Sequence, residues 1–338
     1  MLWPNQKIIC LVESTTYCNS KCPQCSRTNP NGLGFSGICE LKHVTLDEWI
    51  EGYARSYNEI ECFHFSGQWG DCFMNPEIED IFTHITENSD CWISFSTNGS
   101  LRDPDFFWRI GVKNRGRISG TFDVDGWTQE NHQLYRVNTD LEKIKENAES
   151  FAATGNDTKI FTVVFKHNQY DIKDIENWAK SIGAEHEIMQ SNRFWGGTES
   201  TYTYQGVEYI LEQTTDTNIS NNFENENQRI IRDHRHKDIK RIGVKCSWGL
   251  ESKVYVDEHL NVWPCCYWHI RASKHPEWET SKLFHKFTAE LKDGEYSLKK
   301  YTLKEILQKR FYKGDLENSF STEPAWMCTR TCGILNDQ

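Results

Sequence analysis

The stretch Tyr17-Cys18-Asn19-Ser20-Lys21-Cys22-Pro23-Gln24-Cys25 sets three thiols in the spacing C-x3-C-x2-C. It follows the apolar run Ile8-Ile9-Cys10-Leu11-Val12, which reads as a buried strand. A loop that leaves a strand and turns three thiolates inward suits three irons of a cubane. Fully ligated clusters use four cysteines, so a closed set of three leaves one iron for a small molecule to complete. Zinc is the competing reading, because C-x2-C is a common half of a zinc motif.

The spacing resembles that of the radical S-adenosylmethionine (SAM) enzymes. The resemblance implies that Cys18, Cys22 and Cys25 hold a [4Fe-4S] cluster whose open iron is chelated by the amine and carboxylate of SAM. The family usually has an aromatic just before the third cysteine; this chain has Gln24. Ser66 to Asp71 stands where the family has a Gly-Gly-Glu motif for the SAM amino group, which makes Ser66, Gly70 and Asp71 candidates. A carboxylate suits an ammonium, and Asp71 also reads as a helix cap. Arg136 stands where relatives hold the SAM carboxylate, a task that suits a guanidinium; a surface salt bridge is the alternative. Asp123 and Asp125 stand where the family binds ribose or substrate. Thr97 and Asn98 contact SAM or shape a turn. Lys166 and His167 come within reach by strand position, although a lone histidine is more often structural.

A second cysteine group lies far along the chain. Cys246, Cys265, Cys328 and Cys332 make a complete four-thiolate set, with the adjacent Cys266 as the less favoured alternative to Cys265. Between the first two, Val254-Tyr255-Val256 and Val262-Trp263 flank polar residues and read as a hairpin. Zinc bound by four cysteines is again the alternative. The arrangement is similar to the twitch domain, the shortened SPASM domain, which implies an auxiliary [4Fe-4S] cluster.

The elements that must position these residues alternate. Strands are expected at Ile8–Val12, Cys62–Ser66, Trp92–Ser96, Ile118–Val124, Thr158–Phe165 and Glu185–Met189. Helices begin near Thr45, Pro76, Asp103, Asp140 and Asp171; Thr45 with Glu48 makes a capping box. Such alternation argues for an α/β fold with a parallel sheet, too short for an eight-fold barrel. A partial (β/α)6 TIM-like barrel is expected, and chemistry in such barrels gathers at the carboxyl ends of the strands. Residues 1–195 form this barrel, 196–244 a solvated connector rich in asparagine, and 245–338 a small hairpin-and-helix unit for the second cluster.

Net charge is −11, which disfavours nucleic acid as a partner. No apolar run approaches the roughly 20 residues of a membrane span, and the N-terminus has no signal-peptide pattern. A cytoplasmic protein is expected, and its 13 cysteines are then thiols or ligands, not disulfides. The resemblance implies reductive cleavage of SAM, hydrogen abstraction by a 5′-deoxyadenosyl radical, and net oxidation with the auxiliary cluster as electron acceptor. Its substrates are peptides or small metabolites, and flavodoxin or ferredoxin is the expected electron donor. The segment before Cys18 is too short for a separate peptide-recognition domain. A redox-neutral epimerase with Cys266 or Cys72 as hydrogen donor, a radical enzyme acting on RNA, and a zinc-stapled interaction protein are the other readings.

Overall fold

The computed structural model describes residues 2–4, 7–191, 193, 194, 197–216 and 241–335. The asparagine-rich stretch 217–225 and the boundary at 195–196 lie outside them. Strands and helices alternate as β1 (Ile8–Val12), α1 (Leu46–Tyr53), β2 (Ile60–Phe65), α2 (Ile78–Asn88), β3 (Trp92–Thr97), α3 (Pro104–Lys113), β4 (Ile118–Asp123), α4 (Gln129–Gln133), α5 (Leu141–Ala152), β5 (Thr158–Val164), α6 (Ile172–Ser181) and β6 (Glu185–Gln190). Each strand pairs in parallel with the next. The chain therefore has the α/β class and the partial-barrel order expected of it.

Local chemistry sets the helix starts. The Thr45 hydroxyl accepts from Glu48 N, and the Glu48 carboxylate accepts from Thr45 N, closing a capping box on α1. Asp103 and Asp140 cap α3 and α5. In α2 the buried residues Ile78, Ile81, Phe82 and Ile85 recur at helical spacing and face the sheet. The core they meet is aromatic: Phe63, Phe65, Phe73, Phe82, Phe95, Phe107, Phe122 and Phe151 are all under 2% exposed. Each such burial contributes about 1.5–3 kcal/mol. Phe95 meets Phe73, Phe122 and Phe151 edge-on at 5.0, 5.8 and 5.1 Å between centroids. Gly120 of β4 makes room for it, since a Cβ there would lie 2.4 Å from the Phe95 ring.

After β6 the chain forms a hairpin, β7 (Glu199–Tyr204) and β8 (Val207–Glu212), where a solvated connector was expected. Gln205 and Gly206 both have positive φ, 50° and 81°, the two-residue turn that matches strand twist. Tyr202 and Leu211 are buried in a second apolar cluster with Leu33, Tyr135, Val163, Phe165 and Phe194. Thr203 N donates to Pro30 O at 2.9 Å and Gly32 N to Thr203 O at 2.8 Å, fastening the hairpin to the cysteine loop.

The C-terminal region holds β9 (Arg241–Val244), β10 (Lys253–Val256), β11 (Val262–Trp263) and β12 (Gly333–Leu335). β9 and β12 pair antiparallel. β10 and β11 form the expected hairpin, but β10 also pairs in parallel with β1, aligning Leu11 with Tyr255 and Val12 with Val256. The barrel sheet thus runs on into the C-terminal region as one eight-stranded sheet, β11-β10-β1-β2-β3-β4-β5-β6. Val254, Tyr255 and Val256 are buried in succession, as a strand covered on both faces requires.

Candidate active site

Because β10 and β2 both pair in parallel with β1, the segments leaving all three meet at one end of the sheet. The cysteine loop leaves β1 there. Cys25 N donates to Cys22 O at 3.1 Å, and Lys21 N to Val137 O at 2.9 Å, which folds the loop back on itself and onto the segment after α4. Ser20 Oγ lies 3.0 Å from Cys22 Sγ. Burial pushes the Cys18 thiol up, and Asp71, Cys22 and Cys25 add to it. Burial also raises Cys22, against the pull of Arg136. Gln24 is a tether: its amide accepts from Ser191 Oγ at 2.6 Å and donates to Ser200 Oγ at 3.0 Å, while Arg193 Nη1 donates to its carbonyl at 3.0 Å.

The loop after β2 sits directly against this one. Gly67 turns with φ 52°, and a Cβ on it would lie 1.8 Å from Gly70 O. A Cβ on Gly70 would lie 1.9 Å from Thr15 O, so the two loops touch backbone to backbone. Glu13, at the end of β1, ties the loop down. Its buried carboxylate accepts from Gln68 N at 2.7 Å, Trp69 N and Gly70 N at 3.0 Å, and Tyr255 Oη at 2.9 Å. Burial raises Glu13 to about 7 against those four donors. Sequence reasoning missed Glu13; an acid placed straight after an apolar strand was the available signal.

Asp71 is as fully engaged. Its carboxylate accepts from Thr97 Oγ1 at 2.8 and 3.0 Å, Asn98 N at 2.8 Å, Asn98 Nδ2 at 2.6 Å and Phe73 N at 3.1 Å. The Phe73 bond caps the short turn of helix at Cys72–Met74. Asp71, Thr97 and Asn98 thus form one unit, and Asn98 Nδ2 also donates to Asn19 Oδ1 of the cysteine loop at 2.8 Å. Ser66 stands half-buried at the end of β2.

Arg136 brings the next group together. Nη1 pairs with Asp123 Oδ2 at 2.9 Å, Nε with Asp125 Oδ2 at 2.5 Å, and Nη1 lies 3.8 Å from Cys22 Sγ. Asp125 is wholly buried and also accepts from Val163 N at 2.5 Å. Asp123 is pushed up to about 7 by burial, against Arg136, with Asp125 raising it further. Lys166 does not join them. Phe165 is buried in the second apolar cluster, and Lys166 is left half-exposed on the hairpin side, paired with Glu212 at 2.7 Å. His167 stacks on Phe165 and is lowered to about 4 by burial.

The C-terminal cysteines converge as well. Cys246, Cys265, Cys328 and Cys332 line one small apolar recess, with Trp248, Trp268 and Met327 among its walls. Cys266, the first residue of the helix Cys266–Ser273, is not in that lining. Lys245 N donates to Cys332 O at 2.8 Å where β9 meets β12, which draws the first and last cysteines together. Gly249 N donates to Cys246 Sγ at 3.4 Å and Trp268 Nε1 to Cys328 Sγ at 3.2 Å. Burial raises all four thiols, Cys246 to about 11. Any metal entering either group must displace these protons.

Among the described residues, no three His, Cys, Asp or Glu side chains converge on a single-ion site. A cluster spreads its thiolates over several irons, and Cys18, Cys22, Cys265 and Cys328 each feel other cysteines of their own group electrostatically. With N–H donors aimed at sulfur and Arg136 beside Cys22, the donor sets fit iron–sulfur clusters.

A family model described as the radical SAM superfamily matches residues 12–179, from the end of β1 through α6. Among solved structures, Streptococcus suis SuiB bound to precursor peptide SuiA aligns with a TM-score of 0.60 at 12% identity, over 91% of this chain and 66% of SuiB. SuiB bound to SAM aligns over 78% of this chain at a TM-score of 0.54 and 12% identity, and there the chain spans 61% of SuiB's length. Native anSMEcpe with bound AdoMet aligns at 0.56 and 15% identity, over 96% of this chain and 89% of the other. No curated protein matches by sequence. The solved structures share the fold; the family model covers the strands that carry the cysteine loop and its neighbours, and by that match residues 12–179 belong to the radical SAM superfamily.

Proposed function

We propose that the chain cleaves SAM reductively and abstracts hydrogen from a peptide or small metabolite, with net oxidation of that substrate. The observation that carries this reading is the cysteine loop itself. Cys18, Cys22 and Cys25 leave β1 against the Gly70–Asp71 loop, with Arg136 Nη1 3.8 Å from Cys22 Sγ, inside the span matched by the family. When bound, a reduced cluster and SAM supply an electron, a broken carbon–sulfur bond and a 5′-deoxyadenosyl radical.

The chain's own residues prepare that chemistry. Cys18, Cys22 and Cys25 give up their protons to hold the first cluster. Ser66, Gly70, Asp71, Thr97 and Asn98 line the SAM side, where Asp71 fixes the turn that presents Asn98. Arg136, held by Asp123 and Asp125, offers positive charge to a carboxylate. The β7–β8 hairpin covers the loop and restricts water. Cys246, Cys265, Cys328 and Cys332 hold an auxiliary [4Fe-4S] cluster, the electron acceptor for the product radical. Residues 1–195 act as the SAM barrel, 196–244 as a connector, and 245–338 as the auxiliary unit.

A peptide substrate gains support from the relatives: SuiB is bound to precursor peptide SuiA, and anSMEcpe to AdoMet and the Cp18Cys peptide. The electron donor is a flavodoxin or ferredoxin and the setting cytoplasmic. No helix among the described residues is long and apolar enough to cross a membrane.

The test is anaerobic purification, reconstitution with iron and sulfide, and assay of 5′-deoxyadenosine after SAM and reductant. The parent should hold about eight irons and a Cys18/Cys22/Cys25 triple alanine variant about four, with nucleoside from the parent alone. Tightly bound zinc, no iron uptake and no SAM cleavage would sink the reading.

A further inference from the structure

Strands β10, β1 and β2 end side by side, and each is followed by polar residues: Asp257 and Glu258 after β10, Glu13 after β1, Gln68 and Trp69 after β2. Glu13 is satisfied by four donors. Its neighbours are not. Glu258 is 4% exposed, its Oε2 has no hydrogen-bond partner, and its Oε1 meets His259 Nε2 at 3.7 Å. Trp69 is 2% exposed with Nε1 unpartnered, and Gln68 Oε1 is unpartnered too. Glu13 accepts from Gln68 N and Trp69 N and also bears on Glu258, so the three orphans gather around it; folded proteins pair nearly all such atoms, and their grouping points to a ligand.

The corner has a floor and an outlook. The His269 ring lies 5.0 Å from Tyr255, 5.0 Å from Trp263 and 5.8 Å from Trp69, and Gln68 Nε2 is 3.2 Å from His269 Nδ1. Cys39 feels Glu258, Glu13 and Cys25 together, which sets the corner beside the cysteine loop.

Charge selects the ligand. Asp257, Glu13 and Glu40 all bear on Glu258. Asp257 is already satisfied by His259 N, Asn261 N, Asn261 Nδ2 and Trp263 Nε1. Among the described residues no Lys or Arg forms an ion pair with Glu258; His259 is its one basic neighbour within 4 Å. An anion would be repelled here, and an apolar group would leave the orphans unpaired. A cation pairs with the carboxylate and lies beside aromatic faces. We propose that this corner binds a cationic nitrogen of the second substrate, an ammonium or guanidinium, through Glu258, while Trp69 Nε1 and the Gln68 amide hold the adjoining polar group. The proposal rests on the radical SAM reading, which puts the substrate at this mouth.

In the free protein Glu258 is pushed up to about 8, by burial first and then by Asp257 and Glu13, and holds its proton at pH 7. A bound cation favours the carboxylate, so that proton passes to the buffer, and no other bond changes.

The test uses the full chain with its clusters, titrated by calorimetry at pH 7 in phosphate and in Tris. The probes are Nα-acetyl-lysine N-methylamide, its arginine counterpart and the uncharged norleucine counterpart. The cationic probes should bind at least about ten-fold more tightly than norleucine and release up to one proton each, read as a buffer-dependent enthalpy. Glu258→Gln should abolish both the preference and the proton. Trp69→Phe, which keeps the ring, should weaken all three probes and retain the preference. Equal affinities, no binding at all, or a preference that survives Glu258→Gln overturns the proposal. Displacement of the lysine probe by excess SAM overturns it as well, since the nitrogen is then SAM's own. Formation of 5′-deoxyadenosine without probe, on the same preparation, reads the radical function separately; a protein that makes it yet ignores probe charge loses the substrate assignment alone.

Discussion

Gly70→Ala tests whether the two loops at the mouth truly stand backbone to backbone. The added Cβ would lie 1.9 Å from Thr15 O, 2.7 Å from Thr15 C and 2.8 Å from Tyr17 O, where ordinary contact begins at 3.4 Å. All three are backbone atoms, so no side chain can swing aside. The loop must retreat by roughly 1.5 Å, the gap between 1.9 and 3.4 Å. Two hydrogen bonds stretch with it: Gly70 N to Glu13 Oε1 at 3.0 Å and Asp71 N to Tyr17 O at 2.9 Å. Overpacking costs about 1–3 kcal/mol, a bond to an ionised acceptor about 1.5–3 and a neutral one about 1. The sum is roughly 3.5–7 kcal/mol. At about 2 °C per kcal/mol for a chain of this size, the melting temperature should fall by roughly 7–14 °C. SAM affinity should fall with it, because Asp71 carries Thr97 and Asn98. Gly34→Ala is the control: nothing lies within 4 Å of its Cβ, and it should melt within about 1 °C of the parent. A Gly70→Ala protein that melts and binds SAM like the Gly34→Ala control would refute the contact.

Arg136→Met leaves Asp123 and Asp125 buried without their cation, which should cost about 3–5 kcal/mol at pH 8. The deficit should shrink at pH 6, where Asp123, raised to about 7, takes up a proton; a deficit equal at both pH values counts against the ion pair. Cys265→Ser should lower bound iron by about four per chain and Cys266→Ser leave it unchanged; the reverse would relocate the fourth ligand. Glu258 is raised from 4.5 to about 8, so its contribution to stability is fully present below pH 4.5 and is lost as pH rises through 8. Glu258→Gln removes that loss. Its melting temperature should gain on the parent between pH 5 and pH 8.5, with a ceiling of roughly 4–5 kcal/mol, and a constant gap would show the carboxyl is not perturbed.

Most strands were legible as short runs rich in apolar residues and closed by turn residues, and helix starts because Thr45, Asp103 and Asp140 are caps by residue type. The cysteine groups were legible from spacing and order. Lys166 was not: a strand position says which end of a barrel a residue reaches, and only the burial of Phe165 sent Lys166 outward to Glu212. Cys265 and Cys266 are adjacent in sequence, and of the two only Cys265 lines the recess shared with Cys246, Cys328 and Cys332. The β7–β8 hairpin carried a readable signal, Gln205-Gly206 between alternating runs, next to an asparagine-rich stretch that drew the whole region toward a linker. Glu13, Tyr255 and His269 work together only because β10 lies beside β1, a pairing between residues about 240 positions apart that local pattern does not encode.

That pairing also sets a timetable. During synthesis β1 emerges early and finds β2 soon after, yet its other edge stays open until Tyr255 arrives to face Leu11. At about 5–20 residues per second, that edge waits roughly 10 to 50 seconds. Throughout the wait an apolar ribbon, Ile8-Ile9-Cys10-Leu11-Val12, shows unpaired amides to every other nascent chain nearby. A cell making this protein must shelter the ribbon for the time its own ribosome needs to deliver the cover.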